Sequence, residues 1–256
     1  MPGPIPISLV VITRDAQDDI AECLASTPFA AEALVVDSGS ADHTVEIAQR
    51  SGARVVSHPW QGFGPQKQYG VEMAANDWVL CLDADERVSP ELARSVESMF
   101  SGREPPLAAY AVARRNRFLG RWLAHGEGYP DWTTRLFDRR RARWSDDPVH
   151  ERVIADGRVG RVEGDLMHAS AESIERYVAK QNRYTTLQAD MLHARGERST
   201  ALAMAAAPVA RFLRFYVLRL GFLDGAAGFA HIAIGAFASF LKHAKLRALD
   251  QTLRRP

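Results

Sequence analysis

An α/β fold with a mostly parallel sheet, followed by a helical C-terminal region, is what the 256-residue sequence predicts. Three observations lead to it: short apolar runs alternate with helical patterns over the first third, these runs are rich in β-branched residues, and the chain turns helical from residue 171. Strands that alternate with helices form parallel sheets covered on both faces. Burial on both faces explains why the apolar runs are continuous.

The elements of the first third follow one another closely. In chain order we predict a strand at 7–12, a helix at about 17–26, a strand at 33–36, a helix from about 42 to 50, a strand at 53–57, a helix at 65–75, a strand at 78–82 and a helix from Ser89. Ser40 or Asp42 can cap the second helix. Ser89 caps the fourth, with Pro90 in its first position.

The middle of the chain, residues 108–161, changes character. Arg and Trp become frequent, and strand-like pieces occur at 109–113, 134–137 and 151–154. We expect mixed or antiparallel sheet with long functional loops here. Helices are predicted at 173–195 and from residue 200 onward, so we divide the chain into domains 1–170 and 171–256.

Composition limits the classes of function. The net charge is +1, with 46% hydrophobic and 25% charged residues, which is ordinary for a globular protein. This balance argues against a general polyanion binder, so we expect no nucleic-acid partner. Cys23 and Cys81 lie in apolar stretches and predict reduced core thiols rather than a disulfide. The N-terminus shows no signal-peptide pattern.

The C-terminal stretch LGFLDGAAGFAHIAIGAFASFL, residues 220–241, is apolar but contains Asp224 and His231. Residues 208–256 carry a net charge of +6 and leave −5 on the rest of the chain. A charge inside a membrane span is costly, so we predict helices that lie in the membrane interface. A helical pair packed on the domain is the alternative. We predict that deletion of 208–256 leaves a soluble domain that binds nucleotide and loses membrane association.

Carboxylates follow the fourth predicted strand in the sequence LCLDADERV, residues 80–88. Asp83 and Asp85 lie one residue apart, and like charges so close repel each other. Carboxylates at the carboxyl end of a parallel strand are typical of a divalent metal that is shared with substrate phosphates. The alternative is a helix cap, although Ser89 already fills that position.

Several segments together resemble glycosyltransferase family 2, which has the GT-A fold. The resemblance rests on ISLVVITRD (7–15), VVDSGSADHTVEIA (35–48), GFGPQKQYG (62–70), VLCLDADERV (79–88), NRFLGRWLAHGEGYPDWTTRLFDRRRARW (116–144), DPVHERV (147–153) and GDLMHAS (164–170). The last three segments are similar to the bacterial lipopolysaccharide-core branch of the family. The resemblance covers nearly the whole chain and is more specific for the family than for the substrate.

The resemblance implies a pocket for a nucleotide-sugar donor. Thr13, Arg14 and Asp15 would line the nucleotide pocket. Asp37 would contact the uracil or the ribose, although many relatives have an acidic pair where this chain continues with a serine. Lys67 would approach the phosphates or the ribose. The alternatives are a simple turn at Asp37 and an ordinary solvated lysine.

The resemblance also implies a site for Mg²⁺ or Mn²⁺. Asp83 would contact the ribose or the metal, Asp85 would bind the metal directly, and His168 would complete the metal or diphosphate site. Taken by itself, a single histidine between Met167 and Ala169 is typical of a core histidine.

An acceptor hydroxyl that attacks the anomeric carbon from the opposite face inverts its configuration and needs a carboxylate base. Glu151 and Asp131 are the candidates, and we favour Glu151. The alternative for either acid is an ion pair with one of the nearby arginines.

Aromatic and basic residues of the middle segment suit an acceptor saccharide with phosphate groups. The aromatic residues and the histidine with this expected role are Trp122, His125, Tyr129 and Trp132. Arg135 and the cluster 139–141 could meet acceptor phosphates, or could form a solvated basic edge.

The resulting expectation is an inverting, metal-dependent hexosyltransferase at the cytoplasmic face of the bacterial inner membrane, bound peripherally. Its donor would be a nucleotide sugar such as UDP-glucose, and its acceptor a lipid-linked saccharide such as inner-core heptose of lipopolysaccharide. Transfer to a polyprenyl phosphate or to an exopolysaccharide intermediate is the alternative within the family. A nucleotidyltransferase and a membrane-bound scaffold are more distant alternatives.

Overall fold

The computed structural model describes residues 3–252 except for 103, 148–150 and 170–172. The chain forms two compact units, the first of Met1–Arg115 with Asp131–Ala169 and the second of Asn116–Pro130 with Ser170–Pro256. The sequence analysis placed 116–130 in the first domain. These residues group with the second unit because they pack on the C-terminal helices.

The main sheet combines a parallel half with antiparallel strands. Its strand order is β3-β2-β1-β4-β8-β6-β11-β5, with β7 paired to β6, while β9 and β10 form a separate pair. Strands β3, β2, β1 and β4 run parallel, and β8 is antiparallel to β4. The strands are β1 Ile5–Thr13, β2 Ala30–Asp37, β3 Arg54–Ser57, β4 Trp78–Asp83, β5 Glu86–Val88, β6 Ala109–Phe118, β7 Arg121–Trp122, β8 Asp131–Asp138, β9 Ala142–Trp144, β10 Val153–Ala155 and β11 Val159–His168.

Helices cover the first unit and make up most of the second. They are α1 Ile20–Ala25, α2 Thr44–Arg50, α3 Phe63–Met73, α4 Pro90–Met99, α5 Ile174–Ala194, α6 Ala201–Leu213 and α7 Gly225–Thr252. Ser89, Ser173 and Thr200 cap α4, α5 and α6 by accepting backbone hydrogen bonds. The predicted start of α4 at Ser89 is therefore confirmed.

The core explains the continuous apolar runs. Successive residues of β1 point to opposite faces of the sheet. Leu9 and Val11 pack with Leu92 of α4, whereas Val10 packs with Val71 of α3. Both faces are covered, as the composition of the run predicts.

The strand register places the predicted site residues at one edge of the sheet. Thr13 lies opposite Asp37 in the β1–β2 pair, and Ile12 lies opposite Asp83 in the β1–β4 pair. Three strands therefore deliver their last residues to the same edge.

The first helix begins later than predicted, at Ile20. The preceding backbone is held by another loop: the N–H groups of Asp15 and Gln17 donate to side chains of Ser40 and Asp42. Ser40 and Asp42 therefore tie two loops together. His43 occupies the N-cap position of α2, but its side chain does not accept a capping hydrogen bond from the helix backbone.

The second unit contains two stretches that are long and apolar enough to cross a membrane, Ala201–Leu218 and Gly221–Asp250. None of the first stretch is buried, and less than half of the second. Residues Arg214–Leu218 form a π-helical turn, and Gly221–Asp224 a 3-10 turn. Asp224 is buried and accepts hydrogen bonds from the backbone N–H groups of Ala124 and His125, at 3.0 and 2.8 Å.

Candidate active site

Asp83, at the end of β4, is neutralised by two buried cations. Lys67 Nζ lies 3.1 Å from Asp83 Oδ1, and Arg135 Nη2 lies 2.8 Å from Oδ2. Burial alone would raise the pKa of Asp83, but the charges of Lys67 and Arg135 outweigh it and hold the pKa far below its ordinary value. Both oxygens of Asp83 are thus paired within the protein.

Glu86 is a buried carboxylate that stabilises the same end of β4. It is fully buried, its carboxylate accepts the backbone N–H of Asp83 at 3.0 Å, and Arg135 donates to it at 2.6 Å. Burial alone would lower the pKa of Arg135, but the charges of Glu86 and Asp83 outweigh it and hold the pKa above its ordinary value. Arg135 was predicted to face acceptor phosphates or solvent. It is instead an internal counter-ion, because it is buried and pairs with both Glu86 and Asp83. The sequence analysis missed Glu86, although it belongs to the same acidic run.

Asp85 has different surroundings from Asp83. Its Oδ2 lies 3.1 Å from His168 Nε2, at the point where β11 pairs with β5. The Asp85 side chain is 37% exposed and that of His168 17%. Burial raises the pKa of Asp85, and the hydrogen bond and charge of His168 bring it below its ordinary value. Two residues that are 83 positions apart in sequence meet here, as the predicted metal site requires.

The spacing of these two groups fits a divalent metal. Adjacent ligands on an octahedral Mg²⁺, with bonds of about 2.1 Å, lie about 3.0 Å apart. Within the described part of the chain, no group of three or more His, Cys, Asp or Glu side chains is arranged to hold a metal. A metal at Asp85 and His168 would therefore take its remaining ligands from substrate and water, as Mg²⁺ commonly does.

Lys67 connects Asp83 to Glu151. Its Nζ lies 3.0 Å from Glu151 Oε1 and 4.8 Å from the centroid of the Trp144 ring, and the side chain is only 2% exposed. Lys67 is therefore not a solvated lysine. Glu151 Oε2 makes no hydrogen bond to the described residues. Residues 148–150 of the DPVHERV segment (147–153) lie outside the described residues.

Asp131 begins β8 and is paired with an arginine. Arg114 donates to Asp131 Oδ2 from Nε at 2.9 Å and from Nη2 at 2.6 Å. This ion pair is the alternative that the sequence analysis gave for Asp131. The side chain remains 36% exposed.

The residues predicted to line the nucleotide pocket lie at the ends of β1 and β2. The Thr13 hydroxyl is buried and makes no hydrogen bond to any residue that the structure describes. Asp37 is buried and accepts the N–H groups of Gly39 and Ser40 at 2.9 and 3.0 Å, so it orders its own turn. Arg14 and Asp15, in contrast, are exposed.

Gln66 is a second buried polar residue that the sequence analysis missed. Its amide donates to Ser38 Oγ at 3.0 Å and to the carbonyl oxygen of His58 at 3.1 Å. It therefore joins the end of β2 to the loop before α3. Its position next to Lys67 in the GFGPQKQYG segment could have identified Gln66 as a site residue.

The other predicted acceptor-side residues divide between the two units. Trp122, His125 and Tyr129 belong to the second unit, whereas Trp132 lies in the first, with Arg161 4.3 Å from its ring centroid. Arg139 donates to the carbonyl oxygens that end α3, and Arg140 pairs with acids near the start of β4. These two arginines stabilise the fold at the opposite end of β4 from Asp83, so they do not support an acceptor-phosphate site.

Comparison with known proteins identifies the family of this chain. The model of glycosyl transferase family 2 matches residues 8–157. An uncharacterized glycosyltransferase of Rickettsia prowazekii is 33% identical over 95% of this chain and 87% of its own length. The lipopolysaccharide core biosynthesis glycosyltransferase LpsC of Rhizobium meliloti is 29% identical over 98% of this chain and 96% of its own.

Among solved structures, mannosyl-3-phosphoglycerate synthase from Rubrobacter xylanophilus has a TM-score of 0.49, at 18% identity over 75% of each chain. The family match and the observed sheet, with its parallel half, confirm the predicted fold class, an α/β fold of the GT-A type with C-terminal helices. The family model matches more than half of the sequence, and the chain belongs to glycosyl transferase family 2, whose members transfer sugars from nucleotide-sugar donors.

Proposed function

We propose that this glycosyltransferase moves a hexose, with inversion, from UDP-glucose or a similar nucleotide sugar to a lipid-linked saccharide such as lipopolysaccharide inner-core heptose. The observation that carries the chemistry is the Asp85–His168 pair, 3.1 Å apart at the sheet edge where Thr13 and Asp37 also lie. The acceptor class is supported by the similarity to LpsC over almost the full length of both chains.

Each group at this edge has a distinct task in the proposed reaction. Asp85 and His168 would hold Mg²⁺ or Mn²⁺, which neutralises the negative charge of the leaving diphosphate. The Thr13 hydroxyl supplies a buried hydrogen-bonding group for the nucleoside. Asp37 stabilises the turn after β2, next to Thr13. Asp83, which Lys67 and Arg135 already pair, fixes the end of β4 and orients Lys67.

Glu151 is the proposed base. The bond from the anomeric carbon to the diphosphate oxygen breaks, and its electron pair leaves with the diphosphate. The acceptor oxygen forms the new bond to that carbon and gives its proton to Glu151. Lys67 binds one oxygen of Glu151, and the other makes no hydrogen bond to the residues that the structure describes. Asp131 is the second candidate, but two donors of Arg114 already bind one of its oxygens.

We also propose that the second unit binds peripherally to the cytoplasmic face of the inner membrane. Its turns and helices expose many large apolar side chains, among them Leu202, Val209, Leu213, Val217, Leu218, Phe222, Leu223, Phe229 and Phe237. Arginines in the same segment can bind lipid phosphates while these side chains enter the acyl region. A polyprenyl-phosphate or exopolysaccharide acceptor would use the same surface. Family membership removes the nucleotidyltransferase and scaffold alternatives.

The first test is calorimetry with UDP, GDP, ADP and their sugars, with and without Mn²⁺. We expect Mn²⁺-dependent binding of UDP-glucose that Asp85→Ala reduces by more than about tenfold, because the metal loses one of two protein ligands. Asp77→Ala is the matched control, since Asp77 is a half-exposed acid at the other end of β4. Equal affinity in wild type and Asp85→Ala would refute the metal role, and binding of another nucleotide alone would refute the donor.

A further inference from the structure

Two exposed aromatic side chains lie in contact beside the proposed base. Trp60 is 46% exposed and Phe63 is 39% exposed, and their ring centroids are 4.8 Å apart in an edge-to-face arrangement. Single exposed aromatic residues are common, but two in contact form an apolar patch, and such patches next to a polar site mark binding surfaces. We refer to Trp60 and Phe63 as the aromatic edge.

The aromatic edge is connected to Glu151 through Lys67 and Gly64 of α3. The Phe63 ring centroid lies 5.8 Å from Lys67 Nζ, which bonds Glu151. The next residue, Gly64, allows close approach of the backbone: a Cβ atom there would lie 2.2 Å from the Ser145 carbonyl oxygen and 3.4 Å from Glu151 Cβ. The first turn of α3 therefore fits against the segment that carries the base.

The chemistry of this surface suits a sugar ring better than an ion. A pyranose ring has an apolar C–H face that packs on an aromatic ring, while its hydroxyl groups stay free to reach polar partners. Glu151 supplies such a partner next to Phe63. The ring that receives the hexose must place a hydroxyl at this carboxylate, so one face of that ring is available for the aromatic edge.

We propose that Trp60 and Phe63 form the binding subsite for the acceptor sugar. This inference rests on the proposed function and adds the residues that recognise the acceptor. The edge orients the acceptor ring by stacking, so that its hydroxyl meets Glu151. If the aromatic edge binds the acceptor, its loss raises KM for the acceptor and leaves KM for UDP-glucose unchanged.

The test measures steady-state transfer by the full-length enzyme from UDP-glucose to two probes. One is heptose-terminated lipopolysaccharide, and the other is its lipid-free core oligosaccharide, released by mild acid. We expect Trp60→Ala and Phe63→Ala to raise KM for both acceptors by about tenfold, which corresponds to loss of one stacking contact. KM for UDP-glucose and its slow hydrolysis without acceptor stay unchanged. Trp60→Tyr retains most of the affinity, and Trp60→Leu does not.

Met73→Ala is the matched control, because Met73 is 40% exposed at the other end of α3. Unchanged acceptor KM in both alanine variants overturns the subsite. A raised KM for UDP-glucose would instead show that the aromatic edge binds the nucleobase of the donor. If the alanine variants affect only the lipid-linked acceptor and Trp60→Leu restores its KM, the aromatic edge contacts the membrane and not the sugar. Wild type that fails to bind UDP-glucose refutes the proposed donor instead. Donor hydrolysis without transfer to either acceptor refutes the acceptor class and the subsite together.

Discussion

Asp83 and Asp85 show how one residue of spacing separates two roles. Asp83 lies between Lys67 and Arg135, and its charge is balanced inside the protein. Among the described residues, Asp85 pairs with His168, and its side chain is more exposed than that of Asp83. The repulsion that such a pair should produce is offset by the two cations, so both acids stay ionised. The first aspartate thereby becomes part of the fold and the second remains available for a ligand.

Loss of Arg135 should lower the stability of the fold substantially. Arg135→Met leaves Glu86 fully buried with Arg114 at 3.5 Å as its remaining cation. Removal of one partner from a buried ion pair typically costs about 3–5 kcal/mol. Urea unfolding at neutral pH measures the loss. Arg140→Met, which removes an exposed arginine, should cost much less, and equal losses would show that burial of the pair does not matter.

At this scale the sequence predicted the residue types but not most of their partners. Asp85 and His168 could be paired because a family resemblance connected them. Arg135 and Glu86 are 49 residues apart, and Lys67 and Glu151 are 84 apart. Spacing along the chain carries no information on such contacts, because they depend on which strands become neighbours. Arg135 was consequently assigned to the surface.

Glu32 shows how side chains connect the parallel strands. It accepts hydrogen bonds from Ser8 of β1 at 2.5 Å, from Arg54 of β3 at 2.8 Å and from the N–H of Ala75 at 2.7 Å. Burial raises the pKa of Glu32, but these donors together lower it below its ordinary value of 4.5. The carboxylate is therefore stabilised in the folded state relative to the unfolded state.

This shift gives a pH-dependent prediction. A folded-state pKa below the unfolded one stabilises the protein fully above the unfolded pKa, and the effect disappears as pH falls through the folded pKa. Glu32→Gln should lower Tm at neutral pH, and the difference from wild type should shrink below about pH 4. Thermal unfolding across this range measures it. A constant difference in Tm at all pH values would mean that lost packing, not charge, is responsible.

The elements differ in how well their sequences predicted them. Strands β1 and β4 were predicted closely, since a buried parallel strand is a continuous apolar run. Strand β11, Val159–His168, was missed because its sequence VGRVEGDLMH mixes charges with two glycines. The start of α1 was wrong because the residues before it donate tertiary hydrogen bonds to the side chains of Ser40 and Asp42. The local hydrophobic pattern predicts which strands are buried, whereas the position of β11 and the start of α1 depend on residues that are distant in sequence.

For the whole molecule, the C-terminal region is more than an appendage. Asp224 bonds the backbone of Ala124 and His125, and the N–H of Gly126 donates to the carbonyl oxygen of Arg219 at 2.9 Å. Deletion of 208–256 would therefore leave residues 124–126 without these partners, and the solubility of the truncated chain stays a prediction. These bonds also explain the acid inside the apolar stretch: Asp224 is satisfied by protein, as a buried charge must be.

Point substitutions consequently test membrane association better than deletion. Leu218 is 78% exposed and Phe222 is 45% exposed, within turns that also contain Arg214 and Arg219. Replacing both apolar residues with serine removes burial of about 1.5–3 kcal/mol per side chain from any membrane-bound state. We expect the double variant to partition into anionic vesicles at least about tenfold less than wild type.

The binding of UDP-glucose should stay unchanged in the double variant, because the substitutions lie in the second unit. Ile154→Ser is the matched control, since Ile154 is 44% exposed in the first unit. Added salt should weaken the partition of wild type if the arginines bind lipid phosphates. Vesicle co-sedimentation measures all three proteins. Equal sedimentation of wild type and the double variant would mean that the exposed apolar side chains do not enter the lipid, and that another surface brings the enzyme to its acceptor.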